Sequence, residues 1–161
     1  MLIDITLKVT KKIASDPVHS KPSLIGHLGT HFDVMNREFP LEYTKRKGVV
    51  FDVSSVKERD IDVSDINLDD VKQNMFVAFY SGYIERVPYG ENGYFSDHPQ
   101  LSYNLIESLL EKGVSVIGLD FAGIRRGKEH TPTDRYCADK GTFIIENLCN
   151  LKSIIELSKE F

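Results

Sequence analysis

The amino-acid sequence predicts an α/β fold: a single domain over residues 1–161, built on a mixed sheet with helices packed on it. Three observations predict it. Short apolar, β-rich runs recur along the chain and outnumber helical segments. One segment of clear helical period sits between two of the strongest runs. No repeat and no linker divides the chain.

The elements follow in order. "LIDITLKV" alternates apolar and polar residues, which predicts a strand over Leu2–Val9 with one buried face. "TKKIASDPVHSKPS" carries two prolines among small polar residues and reads as a loop. "KGVVFDVS" suits a buried strand, and "DINLDDVKQNM" suits a short helical turn with Asp65 as its cap. "MFVAFYSGY" is a buried strand ending at Ser81-Gly82, followed by the loop "IERVPYGENGYFSDHPQ". In "LSYNLIESLLEKG", Leu101, Leu105, Ile106, Leu109 and Leu110 share one helix face and Gly113 is the natural stop. "VSVIGLDF" is the next strand, and "AGIRRGKEHTPTDRY" reads as a polar loop. "GTFIIENL" closes the sheet and "NLKSIIELSKEF" forms a last helix capped by Asn150.

Composition narrows the function. A net charge of −4 and a pI near 5.7 give no attraction to phosphate backbones, so nucleic acid is not an expected partner. The basic cluster "YTKRKG" reads as a solvated turn. The first residues lack the basic leader and apolar block of a signal peptide. No apolar run approaches the roughly 20 residues that span a bilayer, so no membrane association is expected. Cys137 and Cys149 are too few for a disulfide framework, which suggests reduced thiols and a cytoplasmic location.

The chemistry concentrates in "GHLGTHFDVM", which places His27, His31 and Asp33 within seven residues. Imidazole and carboxylate together suit zinc, manganese or iron. A helix is a weak reading, because Gly26, Gly29 and Thr30 interrupt it. In extended chain all three side chains point to one side, but the two histidines then lie roughly 13 Å apart. One ion with bonds near ~2 Å cannot bridge that gap. Chelation therefore requires a bend between the histidines, and Gly29 is the residue that permits it. Spacing alone leaves two readings open: a metal site, or two neighbouring histidines on a surface or satisfied in a core.

"HLGTHFD" matches the H-x-G-T-H-x-D signature of the cyclase family of metal-dependent hydrolases, which includes bacterial kynurenine formamidase and isatin hydrolase. "IDIT", "GVVFDVS", "FVAFYSGY", "YFSDHPQLS", "EKGVSVIGLDF" and "GTFIIENLCNL" agree with the family in the same order. The chain thus resembles a divergent member, and the resemblance implies a swivelling β/β/α fold. It makes His27, His31 and Asp33 the primary metal ligands, with Glu146 completing the site from a distant strand and serving as a candidate proton shuttle if only one ion is bound. Where two-zinc members place a further histidine, Asp134 stands here, ranked above the nearby His130. The implied cofactor is a divalent metal, zinc foremost and manganese next. The implied partner is a small-molecule substrate, an amide, formamide or cyclic amide, and self-association as dimer or tetramer is expected. Tyr83, Tyr94 and Phe95 are candidate pocket walls, or ordinary core aromatics.

Two departures stand out. The signature continues as x-P-x-H, and the slots of its proline and its catalytic histidine hold Met35 and Arg37. Arginine stays protonated and cannot take a proton from water, so Arg37 is read as a candidate for binding a carboxylate or developing oxyanion, or as an exposed turn residue. Family members also continue with another β segment where this sequence stops at Phe161, so the expectation is a trimmed domain with an edge covered by a partner chain, or a short chain. A metal- or small-molecule-binding protein without hydrolase activity is the second functional reading, and an oligomeric scaffold the third.

Overall fold

The computed structural model describes residues 2–24, 26–158 and 160–161. Five strands form one sheet: β1 (His31–Asp33), β2 (Gly48–Asp52), β3 (Phe76–Tyr80), β4 (Val116–Leu119) and β5 (Phe143–Glu146). Among the described residues six α-helices accompany them: α1 (Lys11–Ser15), α2 (Ser20–Leu24), α3 (Tyr83–Arg86), α4 (Tyr103–Glu111), α5 (His130–Asp139) and α6 (Leu151–Leu157). Strand order is β1-β5-β4-β3-β2. β2 to β5 run parallel and β1 pairs antiparallel with β5, His31 opposite Glu146 and Asp33 opposite Ile144.

The parallel strands read as near-continuous apolar runs because both of their faces are covered. Val49, Phe51, Val77, Phe79, Ile117, Leu119 and Ile144 face one core with Leu105, Ile106 and Leu109 of α4. The alternate residues Val50, Ala78, Tyr80, Val116 and Ile145 face the other with Leu151 and Ile154 of α6. Gly118 lies on this second face, where a Cβ would come within 2.4 Å of Phe76 and 2.6 Å of Leu148. The Ser102 hydroxyl caps α4 by accepting from Leu105 N, and Gly113 at φ +68° ends it. Among the described residues no helix is long and apolar enough to cross a membrane.

Several expectations are corrected. Residues 2–8 alternate in burial, with Ile3, Ile5 and Leu7 half-buried and Val9 exposed, but residues 2–9 form no strand. Their backbone groups are taken up singly: Ile5 O by Cys149 N, Asp4 O by Asn150 Nδ2, and Leu7 N by Thr30 Oγ1. The stretch after them holds α1 and α2 rather than a plain loop; Thr10 caps α1 by accepting from Ile13 N. Asp65 ends one 3-10 turn, and Asn67 caps the next over Leu68–Asp70. Asn150 precedes α6 at φ +57°, and its amide goes to Asp4 O instead of capping the helix. α6 ends at Leu157, and Lys159 within the predicted closing segment lies outside the described residues.

The largest difference is α5, which occupies the end of the predicted polar loop. Its buried stripe is Thr133, Asp134, Cys137 and Ala138, so two of four inward positions are polar and the hydrophobic period is masked. Pro132 stands in the first turn, where no intrahelical N–H is required.

His98 lies in the core, 1% exposed and stacked on Phe121 at 5.7 Å. Its Nδ1 donates to Pro99 O at 2.7 Å, and burial pushes its pKa down to about 4. A depressed base stabilises fully above its unfolded pKa of about 6.5 and loses that contribution as pH falls through the folded value. Urea midpoints of the wild type are therefore expected to fall between pH 6.5 and 4 by an increment of about 3 kcal/mol that His98→Phe lacks. Identical slopes in the two proteins would refute the assignment.

Candidate metal centre

The site begins with a bend. Gly29 takes φ +74°, which brings the His27 and His31 rings to 4.7 Å between centroids, as the chelating reading of the stretch demands. The bend is fixed through the Gly29 peptide groups. Gly29 O accepts from His31 Nδ1 and from Asn147 Nδ2, each at 2.9 Å, and Gly29 N donates to Tyr89 Oη at 3.0 Å. Asn147 sits at φ +59°, a left-handed conformation that asparagine tolerates. It is held by Tyr94 Oη, which donates to its Oδ1, and by Thr30 Oγ1, which donates to its carbonyl.

Since a carbonyl only accepts, His31 Nδ1 carries the proton and Nε2 presents a lone pair. That lone pair faces two carboxylates, Asp33 Oδ2 at 3.7 Å and Glu146 Oε2 at 3.5 Å. The antiparallel register delivers this meeting, because His31 and Glu146 are direct cross-strand partners. His27 Nε2 stands 3.0 Å from Asp33 Oδ1 at the more exposed side of the cluster. The first turn of α5 adds His130 and Asp134 four apart on one face. His130 Nε2 comes within 3.0 Å of Asp134 Oδ2 and 2.9 Å of Glu146 Oε1. Gly123, at φ +138°, leaves room for the His130 ring, 3.1 Å from where a Cβ would stand.

Charge does not balance within the chain. Asp33, Asp134 and Glu146 are 4%, 1% and 4% exposed. Burial raises the pKa of both Asp134 and Glu146, and the carboxylate of Asp33 pushes each further up. The same carboxylates hold the His130 imidazolium pKa well above its usual value, whereas burial lowers that of His31. His31 Nε2, Asp33 Oδ2, both Asp134 carboxylate oxygens and Glu146 Oε1 are buried without an aligned hydrogen bond. His130 offsets part of this charge, and a buried carboxylate left without a compensating cation costs several kcal/mol, of order 3–5.

The donors form two sets, each with its ligand atoms within 4.8 Å of one another: His27, His31 and Asp33, and Asp33, His130, Asp134 and Glu146. Imidazole nitrogen and carboxylate oxygen in such sets fit a divalent cation, and Asp33 belongs to both.

The structure therefore gathers His27, His31, Asp33, Asp134 and Glu146, and it brings in His130 on equal footing with Asp134. Arg37 does not join them. Its guanidinium pairs with Asp139 Oδ1 at 2.6 Å near the far end of α5, with both side chains about half exposed. Tyr83 and Tyr94 are buried core residues, and Tyr94 supports the site by its bond to Asn147 and by packing edge-on against Tyr89. Phe95 is partly exposed and packs on Tyr89. Sequence reasoning passed over Asn147 and Tyr89, although an asparagine directly after the strand glutamate was the available signal.

With this geometry in hand, comparison with known proteins is informative. The chain matches the family model described as Putative cyclase over residues 3–125, a span that contains the His27–Asp33 stretch. Its fold resembles that of a potential metal-dependent hydrolase with cyclase activity, at TM-score 0.69 and 20% identity over 98% of this chain and 85% of that one. A predicted metal-dependent hydrolase from Bacillus stearothermophilus aligns at TM-score 0.66 and 20% identity, over 91% and 81% of the two chains. Isatin hydrolase A from Labrenzia aggregata, bound to benzyl benzoate, aligns at TM-score 0.65 and 17% identity, over 83% and 63%. No curated protein sequence matches significantly. The family match covers most of the chain, so the protein with this bent His27–Asp33 stretch belongs to the cyclase family.

Proposed function

We propose that the chain is a metal-dependent hydrolase acting on the C–N bond of a small amide, formamide or cyclic amide. The observation that carries this reading is the convergence of buried nitrogen and oxygen donors that the chain itself leaves without aligned partners. His27, His31 and Asp33 would hold one cation, and Asp33, His130, Asp134 and Glu146 a second. When bound, a divalent metal, zinc foremost and manganese next, supplies Lewis acidity and a water of lowered pKa.

The chain's own groups supply the rest. The Nδ1–H bond to Gly29 O commits His31 Nε2 to coordination. Glu146 belongs to the second set and also stands 3.5 Å from His31 of the first, so with only one ion bound it is placed to take a proton from water and return it to a leaving nitrogen. Arg37, the candidate for binding a carboxylate or developing oxyanion, is held away from the site by its pair with Asp139. The resemblance to isatin hydrolase favours a cyclic amide among the substrate classes. Self-association belongs to the same proposal.

A second reading, a metal- or small-molecule-binding protein without turnover, is favoured by one observation: Arg37, paired on the surface, stands in the slot of the family's catalytic histidine. Elemental analysis of purified protein, followed by turnover assays on isatin and formanilide with added zinc or manganese, separates the two. The hydrolase reading expects bound metal and turnover, and bound metal without turnover supports the second. Loss of metal in His31→Ala is expected under both, so metal content unchanged by His31→Ala would overturn both.

Two further outcomes are expected. Glu146→Gln keeps the side-chain volume and lowers kcat by roughly 100-fold or more, read by steady-state kinetics at matched metal content. Asn147→Ala releases the Gly29 carbonyl and weakens metal affinity roughly 10–100-fold, measured by competition with a chromogenic chelator.

A further inference from the structure

None of the metal-ligand residues lines the cavity on the other side of Tyr89. This open cavity of about 560 Å³ separates the N-terminal segment carrying α1 from residues 84–91, a size that small-molecule sites commonly have. Its apolar wall is Leu7, Ile13, Ile84 and the ring of Tyr89. His19 also lines it, 2% exposed and stacked on Tyr89 at 5.0 Å with the planes 17° apart. Gly90, at φ +86°, makes room for this histidine, since a Cβ there would lie 2.4 Å from Nε2.

His19 Nδ1 is buried with no hydrogen-bond partner, and among the described residues the imidazole makes ring contacts only, to Tyr89 and Phe95. Buried polar side chains are bonded in the large majority of cases, so one held by rings alone at a cavity wall calls for a reason. The charged groups at the cavity are unequal: Asp16, Glu85 and Glu91 against Lys12. Acceptors thus dominate, beside an aromatic face that favours cations.

We propose that this cavity binds a small molecule with an apolar or aromatic body and a protonated primary amine. The body packs on Tyr89 and Ile13, and the ammonium group is shared among Glu85, Glu91 and His19. Tyr89 also accepts the Gly29 N–H, so the ring that floors this cavity pins the bend between His27 and His31. Occupancy here is therefore linked to cation affinity at the metal centre, and the linkage is reciprocal.

The test uses 2-phenylethylamine as probe and 3-phenylpropionate as its acidic counterpart, titrated calorimetrically into metal-free full-length protein, so that neither metal binding nor turnover enters the readout. Saturable binding of the amine alone is expected, weakened roughly tenfold or more in the Glu85→Gln/Glu91→Gln double variant, whose fold is checked by circular dichroism. Absence of saturable amine binding, equal binding of the acid, or unchanged binding in the double variant would overturn the proposal. Tyr89→Phe keeps the ring and removes the hydroxyl: it is expected to bind the amine while the amine no longer alters zinc affinity. An amine effect on zinc that persists in Tyr89→Phe would overturn the linkage.

Discussion

The carbonyl of Gly29 is the point on which the rest of the site depends. It accepts from His31 and from Asn147 at once, one residue from the signature stretch and one from the end of β5. The first bond selects the tautomer of His31, and the second ties the bend to the central sheet. Without this double acceptance the bend would be an isolated glycine turn, and the two histidines would separate toward their extended spacing. The hydroxyls of Tyr94 and Thr30 then fix Asn147, so the layer behind the ligands is hydrogen-bonded throughout. The ligands in front of it keep inward-facing atoms, among them His31 Nε2, Asp33 Oδ2 and both Asp134 oxygens, without an aligned bond. A satisfied layer supporting an unsatisfied one is the physical signature of a site prepared for something the chain does not contain.

Charge explains why the unsatisfied layer persists. Three carboxylates buried together repel, and the His130 imidazolium offsets only part of that repulsion. A divalent cation does so more completely, because it accepts lone pairs from several directions where a ring N–H serves one. The parallel strands bring Glu146 to their carboxyl ends, where open α/β sheets commonly bind ligands. β1 runs against them and so presents His31 at the same level as Glu146.

Much of this was legible in the sequence. Strands β2 to β5 and helix α4 each carry an uninterrupted apolar period, and each was read correctly. The bend at Gly29 followed from arithmetic on strand rise and ligand bond length. What escaped did so for physical reasons. In α5 the inward face holds Thr133 and Asp134, so the site itself erased the helical period. Residues 2–9 had the alternation of a strand, but alternation reports burial and not a ladder partner. Of the two readings of Arg37, oxyanion or carboxylate binder and exposed turn residue, the structure gives the second, and no local pattern announces its partner Asp139, 102 residues away.

The antiparallel register of β1 on β5 also sets how the site assembles. His27, His31 and Asp33 lie within one short stretch, yet the bend that gathers them is tied to Tyr89 and to Asn147 at the end of β5. Asp33, His130, Asp134 and Glu146 meet only when the edge strand closes against a segment synthesised more than a hundred residues later. Closing so long a loop carries an entropic cost that local contacts avoid. Both donor sets therefore come together only once the end of β5 has closed against the bend, so the edge strand and the site form in one step.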